Sequence, residues 1–151
     1  GAIVTVFDLS DGQLAQDRRV AERDGLSLRT VQGDMGDLHA FADGSFDVVF
    51  HPISNLYVPD VSPVWAGCQR VLARDGLLLA SFYNPVGFVG ARDPQLQEQG
   101  LIRPRYAIPY SDLEDLPAEE REPKLARGEA LTLGHSLGDL IGGQPDAGFV
   151  V

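Results

Sequence analysis

Apolar residues in the first half of the chain change their period repeatedly, and each change marks the edge of an element. Ile3, Val4, Thr5, Val6 and Phe7 form a β-branched and aromatic run that predicts a strand ending at Asp8. Ser10, Asp11, Gly12 and Gln13 then read as a capping box. The helix behind it carries Leu14, Ala15 and Ala21 on one face, and Gly25 ends it. Leu28, Arg29, Thr30, Val31 and Gln32 predict a second strand, after which Gly33 permits a tight turn. A third strand is expected where Phe46, Asp47, Val48, Val49 and Phe50 precede His51 and Pro52.

Ser62 and Pro63 open a second helix with the stripe Val64, Trp65, Cys68, Val71 and Leu72 and a stop at Asp75 and Gly76. Leu77, Leu78 and Leu79 follow as another strand. Strand, helix, strand, strand, helix, strand implies an α/β fold with a mainly parallel sheet, flanking helices and right-handed crossovers.

The second half changes character. Pro85, Pro94, Pro104, Pro109, Pro117 and Pro123 argue against a regular core there and predict an irregular cap over residues 85–128. Phe88, Tyr106, Ile108 and Tyr110 are its apolar subset, and a solvated connector is the alternative reading. The acidic run from Glu114 to Glu122 reads as a solvated helix face or loop. Further on, Ala130, Leu131, Thr132 and Leu133 suggest a strand, and Ser136 is placed to cap a short helix carrying Leu137, Leu140 and Ile141.

Composition narrows the partners more than the fold. With 151 residues, 44% hydrophobic and 23% charged, the chain suits one domain, residues 1–151. A net charge of −10 disfavours nucleic acid. Cys68 is the sole cysteine, so neither an internal disulfide nor a thiolate metal cluster is available, and no metal site is expected. Its place in the helical stripe predicts a buried thiol. Without an apolar run of about 18 residues, a soluble cytoplasmic protein with no membrane partner is expected.

The candidate chemistry lies at strand ends, where open α/β sheets bind ligands. A carboxylate at Asp8 can accept from both hydroxyls of a ribose, although a plain turn acid before a helix explains it too. Asp34 can accept from an adenine amino group while Met35 packs on the ring, although a Gly-Asp turn is the ordinary explanation. His51 can take a proton from an acceptor, or merely bond to backbone before Pro52. His135, Ser136 and Asp139 invite comparison with a catalytic triad, but no nucleophile elbow is present, and helix capping accounts for Ser136.

Taken in order, Asp8, then Gly33, Asp34 and Met35, then Asp43, Gly44, Ser45, Phe46, Asp47, Val48, Val49 and Phe50 resemble class I S-adenosylmethionine-dependent methyltransferases. The stretch Gln69, Arg70, Val71, Leu72, Ala73, Arg74, Asp75 and Gly76 is similar to that family's "RVLKPGG" turn into its fifth strand. The resemblance covers residues 2–84 and implies a Rossmann-like fold, with the Pro-rich cap inserted between the fifth and later strands. Residues 147–151 resemble a late strand of that fold.

The resemblance also implies S-adenosyl-L-methionine as cofactor, held by Asp8, Leu9, Asp34, Met35 and His51. It implies transfer of a methyl group to a small-molecule acceptor, with His51 as the catalytic candidate and Asn55, Tyr57, Tyr106 and Tyr110 toward the acceptor. One family feature is missing: no G-x-G-x-G occurs. In the family that loop follows a first strand lying between the strand that ends at Asp8 and the one that begins at Phe46. The chain is therefore expected to be an incomplete domain. Two other classes stay open: a nicotinamide-dependent oxidoreductase, which would use Asp8 equally well, and a non-catalytic domain that associates through open strand edges, a homodimer included.

Overall fold

The computed structural model describes residues 1–90 and 93–151. The part of the expected cap at positions 91 and 92 lies outside the described residues. Strand β1 (Val4–Asp8) leads into helix α1 (Asp11–Arg23) and returns as β2 (Leu28–Gln32), which pairs with β1 in parallel from Val4↔Leu28 to Asp8↔Gln32. Ser10 Oγ accepts from Gln13 N–H at 3.3 Å and starts α1. Gly25, at φ 64°, closes it, as Leu26 N–H reaches back to the Ala21 carbonyl at 2.8 Å.

Strand β3 (Phe46–Pro52), helix α2 (Ser62–Val71) and strand β4 (Leu72–Ser81) form the second unit, with β3 and β4 parallel. Here the helix ends earlier than its sequence suggests. The expected stop at Asp75 and Gly76 is instead a loop inside β4: Phe46 pairs with Leu72 and Val48 with Leu77, so the residues between leave the ladder. Asp75 takes φ 63°, and a Cβ on Gly76 would lie 2.8 Å from the Ala73 carbonyl oxygen.

The core forms where α2 lies on one face of β3 and β4. Val61, Val64, Trp65 and Cys68 pack with Val58 and Leu140, and Val49, Leu78 and Ala80 press against them from the sheet. The opposite face carries Val48, Phe50, Leu77 and Leu79 and is open, with Phe50 70% exposed. Among the described residues β1 bonds only to β2, and β3 only to β4. The parallel strands thus form two two-stranded sheets, with no described strand bonding between β1 and β3, where the sequence leads one to expect a missing strand. A row of rings bridges the interval: Phe7 meets Phe41 edge to face at 5.2 Å, and Phe41 meets Phe46 at 5.1 Å.

The cap is more regular than its prolines suggest. It contains α3 (Val86–Val89), α4 (Pro94–Glu98), strand β5 (Tyr110–Ser111) and α5 (Ala118–Ala126), which continues through Pro123. The acidic run supplies the first turn of α5, where Glu119 and Glu120 suit the positive helix end. Strand β6 (Leu133–Gly134) pairs antiparallel with β5 and is shorter than the four-residue run expected at 130–133. A π-helical turn (Gly138–Gly142) and α6 (Gly143–Asp146) follow, anchored where Trp65 Nε1–H donates to the Asp139 carbonyl at 3.0 Å. Residues 147–151 form no strand; Gly148 turns there at φ 102°.

Candidate functional site

At the carboxyl end of β1, Asp8 Oδ1 accepts from Ser10 N–H at 2.7 Å. The expected capping box is therefore shared: Ser10 Oγ caps Gln13, while Asp8 rather than the Gln13 side chain takes the Ser10 amide. The other Asp8 oxygen makes no hydrogen bond among the described residues and is available to a ligand. Gly33 N–H donates to the Asp8 carbonyl at 3.1 Å and Gln32 Nε2 to the Leu9 carbonyl at 3.0 Å, so the ends of β1 and β2 are laced together. The Leu9 side chain is exposed.

Asp34 follows directly, exposed, with Oδ1 accepting from Gly36 N–H at 2.8 Å. Gly33 is required for a steric reason: a Cβ there would sit 2.4 Å from Phe7 Cζ. Met35 is half-buried and packs against the α2 cluster, so a good part of its side chain belongs to the core.

His51 lies on the α2 face of β3, 7% exposed, its ring edge to face with Trp65 at 5.5 Å. Burial lowers its pKa from 6.5, which keeps the imidazole neutral at pH 7. Its Nε2 is buried without a hydrogen-bond partner among the described residues. Beyond it, Asn55 in the 3-10 turn (Ser54–Tyr57) is 1% exposed and gives its side-chain amide to the Ser81 carbonyl at 2.9 Å. Asn55 thus braces the turn from beneath, whereas Tyr57, 52% exposed, presents its ring to solvent.

The two cap tyrosines lie in β5 and on the approach to it. Tyr106 lies under the Arg105 guanidinium, 5.0 Å from its ring centre, and tilts against Tyr110 at 5.0 Å. Tyr110 is buried, and its hydroxyl donates to Asp112 Oδ1 at 2.7 Å. Asp112 is fully buried and also accepts from Lys124 Nζ at 2.5 Å and from the Thr132 amide and hydroxyl, each at 2.9 Å. Burial by itself would raise this carboxyl, but the hydrogen bonds from Lys124, Tyr110 and Thr132 prevail and hold it at about 2. No pattern in the sequence marked this hub, whose members come from β5, α5 and the approach to β6.

His135, Ser136 and Asp139 do not form a triad. The Ser136 hydroxyl donates to Asp139 Oδ2 at 2.7 Å and accepts from Asp139 N–H at 3.1 Å, a capping arrangement, while His135 Nε2 turns to the Asn55 carbonyl at 3.0 Å. Cys68 is buried, which pushes its thiol up to about 11. Among the described residues no group of His, Cys, Asp and Glu is arranged to hold a metal, and no helix is long and apolar enough to cross a membrane.

Residues 1–80, more than half of the chain, match the family of methyltransferase domains. The chain belongs to that family. It is 51% identical, over all 151 of its residues, to YbaJ, an uncharacterized methyltransferase of Bacillus subtilis (strain 168), and spans 58% of that protein. Among solved structures it superposes on an S-adenosylmethionine-dependent methyltransferase of Mesorhizobium loti with a TM-score of 0.74 at 19% identity, covering 99% of this chain and 64% of the other. Geranyl diphosphate methyltransferase in complex with SAM gives a TM-score of 0.61 at 21% identity, covering 97% of this chain and 48% of the other. The α/β class and the class I methyltransferase resemblance are borne out, and the nicotinamide alternative is not favoured.

Proposed function

We propose that the protein to which this chain belongs transfers a methyl group from S-adenosylmethionine to a small-molecule acceptor by in-line displacement. The observation that carries this reading is Asp8: a carboxylate at a strand's carboxyl end that commits one oxygen to Ser10 and leaves the other without a hydrogen bond among the described residues. That arrangement fits the hydroxyls of the cofactor's ribose, with the exposed Asp34 beside it for the adenine amino group and Leu9 and Met35 for apolar contact. When bound, the cofactor supplies an activated methyl group on a positively charged sulfur. The protein's part is then to align the acceptor and exclude water, which needs no strong base.

His51, neutral because it is buried, is suited to receive a proton from an acceptor hydroxyl or amine. Tyr57, Tyr106 and Tyr110 belong to the acceptor side of the proposal, with Tyr57 the most open of them and Asn55 as support. The chain holds no glycine-rich loop for the methionine half of the cofactor. We assign that task to residues beyond this chain, which spans 58% of its Bacillus relative. On this reading the domain 1–151 is one part of a larger catalytic unit, with the cap at 85–128 shaping the acceptor side. It works in the cytoplasm, without nucleic acid or membrane as partner, as a single copy or a homodimer.

Calorimetric titration of the longer gene product with S-adenosylhomocysteine, beside Asp8→Ala and with NAD as competitor, tests the reading. Saturable binding that Asp8→Ala weakens by about 1 kcal/mol or more, and that NAD does not displace, is expected. Equal affinity in the two proteins would remove Asp8 from the site.

A further inference from the structure

The turn after His51 adopts a conformation that its sequence opposes. Ile53 stands at φ 60°, ψ −22°, in the left-handed region that a β-branched side chain enters only under constraint. Strain of this kind persists where the surroundings over-determine it. Here the constraints are explicit. The Ser81 carbonyl, at the end of β4, accepts from Ile53 N–H at 3.0 Å and from Asn55 Nδ2 at 2.9 Å, and Leu56 N–H reaches back to the Ile53 carbonyl at 3.2 Å.

The remaining constraint comes from the far end of the chain. His135 Nε2 lies 3.0 Å from the Asn55 carbonyl oxygen, a pair 80 residues apart and buried on both sides. A carbonyl only accepts, so Nε2 carries the hydrogen and donates it. His135 follows β6 directly, β6 is paired to β5, and Thr132 just before it bonds to the buried Asp112 beside Tyr110 and Lys124. A continuous set of bonds therefore runs from the cap's Asp112–Lys124 pair through His135 to the strained turn.

We propose that His135 is a positioning residue that holds the left-handed Ile53 turn, so that docking of the cap fixes the backbone at the carboxyl end of β3 beside His51. The inference relies on the methyl-transfer reading only for its catalytic consequence, which is that a released turn misplaces the acceptor side of the site.

Hydrogen exchange at the Leu56 amide, which closes the turn, tests the proposal in a four-protein cycle: the unsubstituted chain, His135→Leu, Ile53→Gly and the double variant. Glycine takes the left-handed conformation without strain. If His135 acts by holding strained Ile53, His135→Leu accelerates Leu56 exchange by about tenfold or more alone, and by less than about threefold beside Ile53→Gly. His135→Gln, which keeps a donor, restores slow exchange. Should His135→Leu fail to fold, His135→Asn, too short to reach the carbonyl, replaces it with the same expectation. Equal acceleration with and without the Ile53→Gly substitution, or none in either case, overturns the proposal. S-adenosylhomocysteine titration of the longer gene product carrying the same substitutions is a separate arm: a turn that behaves as stated in a protein that binds no S-adenosylhomocysteine keeps this inference and removes the methyl-transfer reading.

Discussion

At the scale of single residues, the strongest electrostatic commitment is Asp112, and it lies in the cap rather than at the strand ends. Its carboxyl titrates at about 2 when folded, against 3.8 as the ordinary value. The folded value is the lower one, so the stabilisation is whole above 3.8 and is lost as pH falls through about 2. It amounts to something on the order of 2 kcal/mol. Asp112→Asn leaves the largely covered Lys124 ammonium without its counter-charge and is expected to cost about 3 kcal/mol at pH 7 by denaturant unfolding, and to flatten the acid limb of stability against pH. A variant as stable as the parent would show that Lys124 finds water instead. Asp112 was not legible in the sequence, because a lone acid in a Pro-rich, charged stretch reads as solvated until three separate segments close over it. Asp8 was legible, since its position follows from where a strand stops and a capped helix starts.

At the scale of elements, the glycines separate two kinds of requirement. Gly33 lets β2 end against Phe7, and a methyl group there would meet the ring at 2.4 Å and push it toward Phe41. Gly33→Ala is expected to destabilise the chain by about 1–3 kcal/mol, as overpacking does, and to loosen the aromatic row between the two sheets. Gly12, in the first turn of α1, has room: the nearest atom to an added Cβ is Ser10 Oγ at 3.5 Å. Gly12→Ala is expected to raise stability by about 0.5–1 kcal/mol through helix propensity. Thermal unfolding of the pair checks both, and equal effects would undo the steric argument. Elements in the first half were readable because their periodicity comes from burying one face. The early end of α2 was not, because the loop within β4 answers to pairing with β3 and to a left-handed Asp75. Pro123 misled similarly: α5 keeps its course through it. The C-terminal run 147–151, apolar enough for a strand, has no partner among the described residues to make it one.

At the scale of the whole molecule, one side of β3 and β4 is built as a core face and the other stands open. Val48, Phe50, Leu77 and Leu79 line that open face in register, and among the described residues β1 and β3 each present an unpaired edge beside it. A contiguous patch of large side chains of this kind is uncommon on a folded monomer. The 151-residue chain is expected to bind the dye ANS under native conditions, and Phe50→Ser with Leu79→Ser to lower that fluorescence by about half or more while shifting the thermal midpoint by no more than about 2 °C. Fluorescence that the double variant leaves unchanged would mean that the face is covered in solution.

The amino-acid sequence alone determined the alternation of strands and helices through residue 81, the acids at the strand ends and the burial of Cys68, because each of these depends on residues close together in the chain. Tertiary structure decided the rest. The Asp112 hub and the left-handed Ile53 turn held by His135 arise from groups tens of residues apart, and their free energies exist only once the intervening chain has folded and excluded water between them.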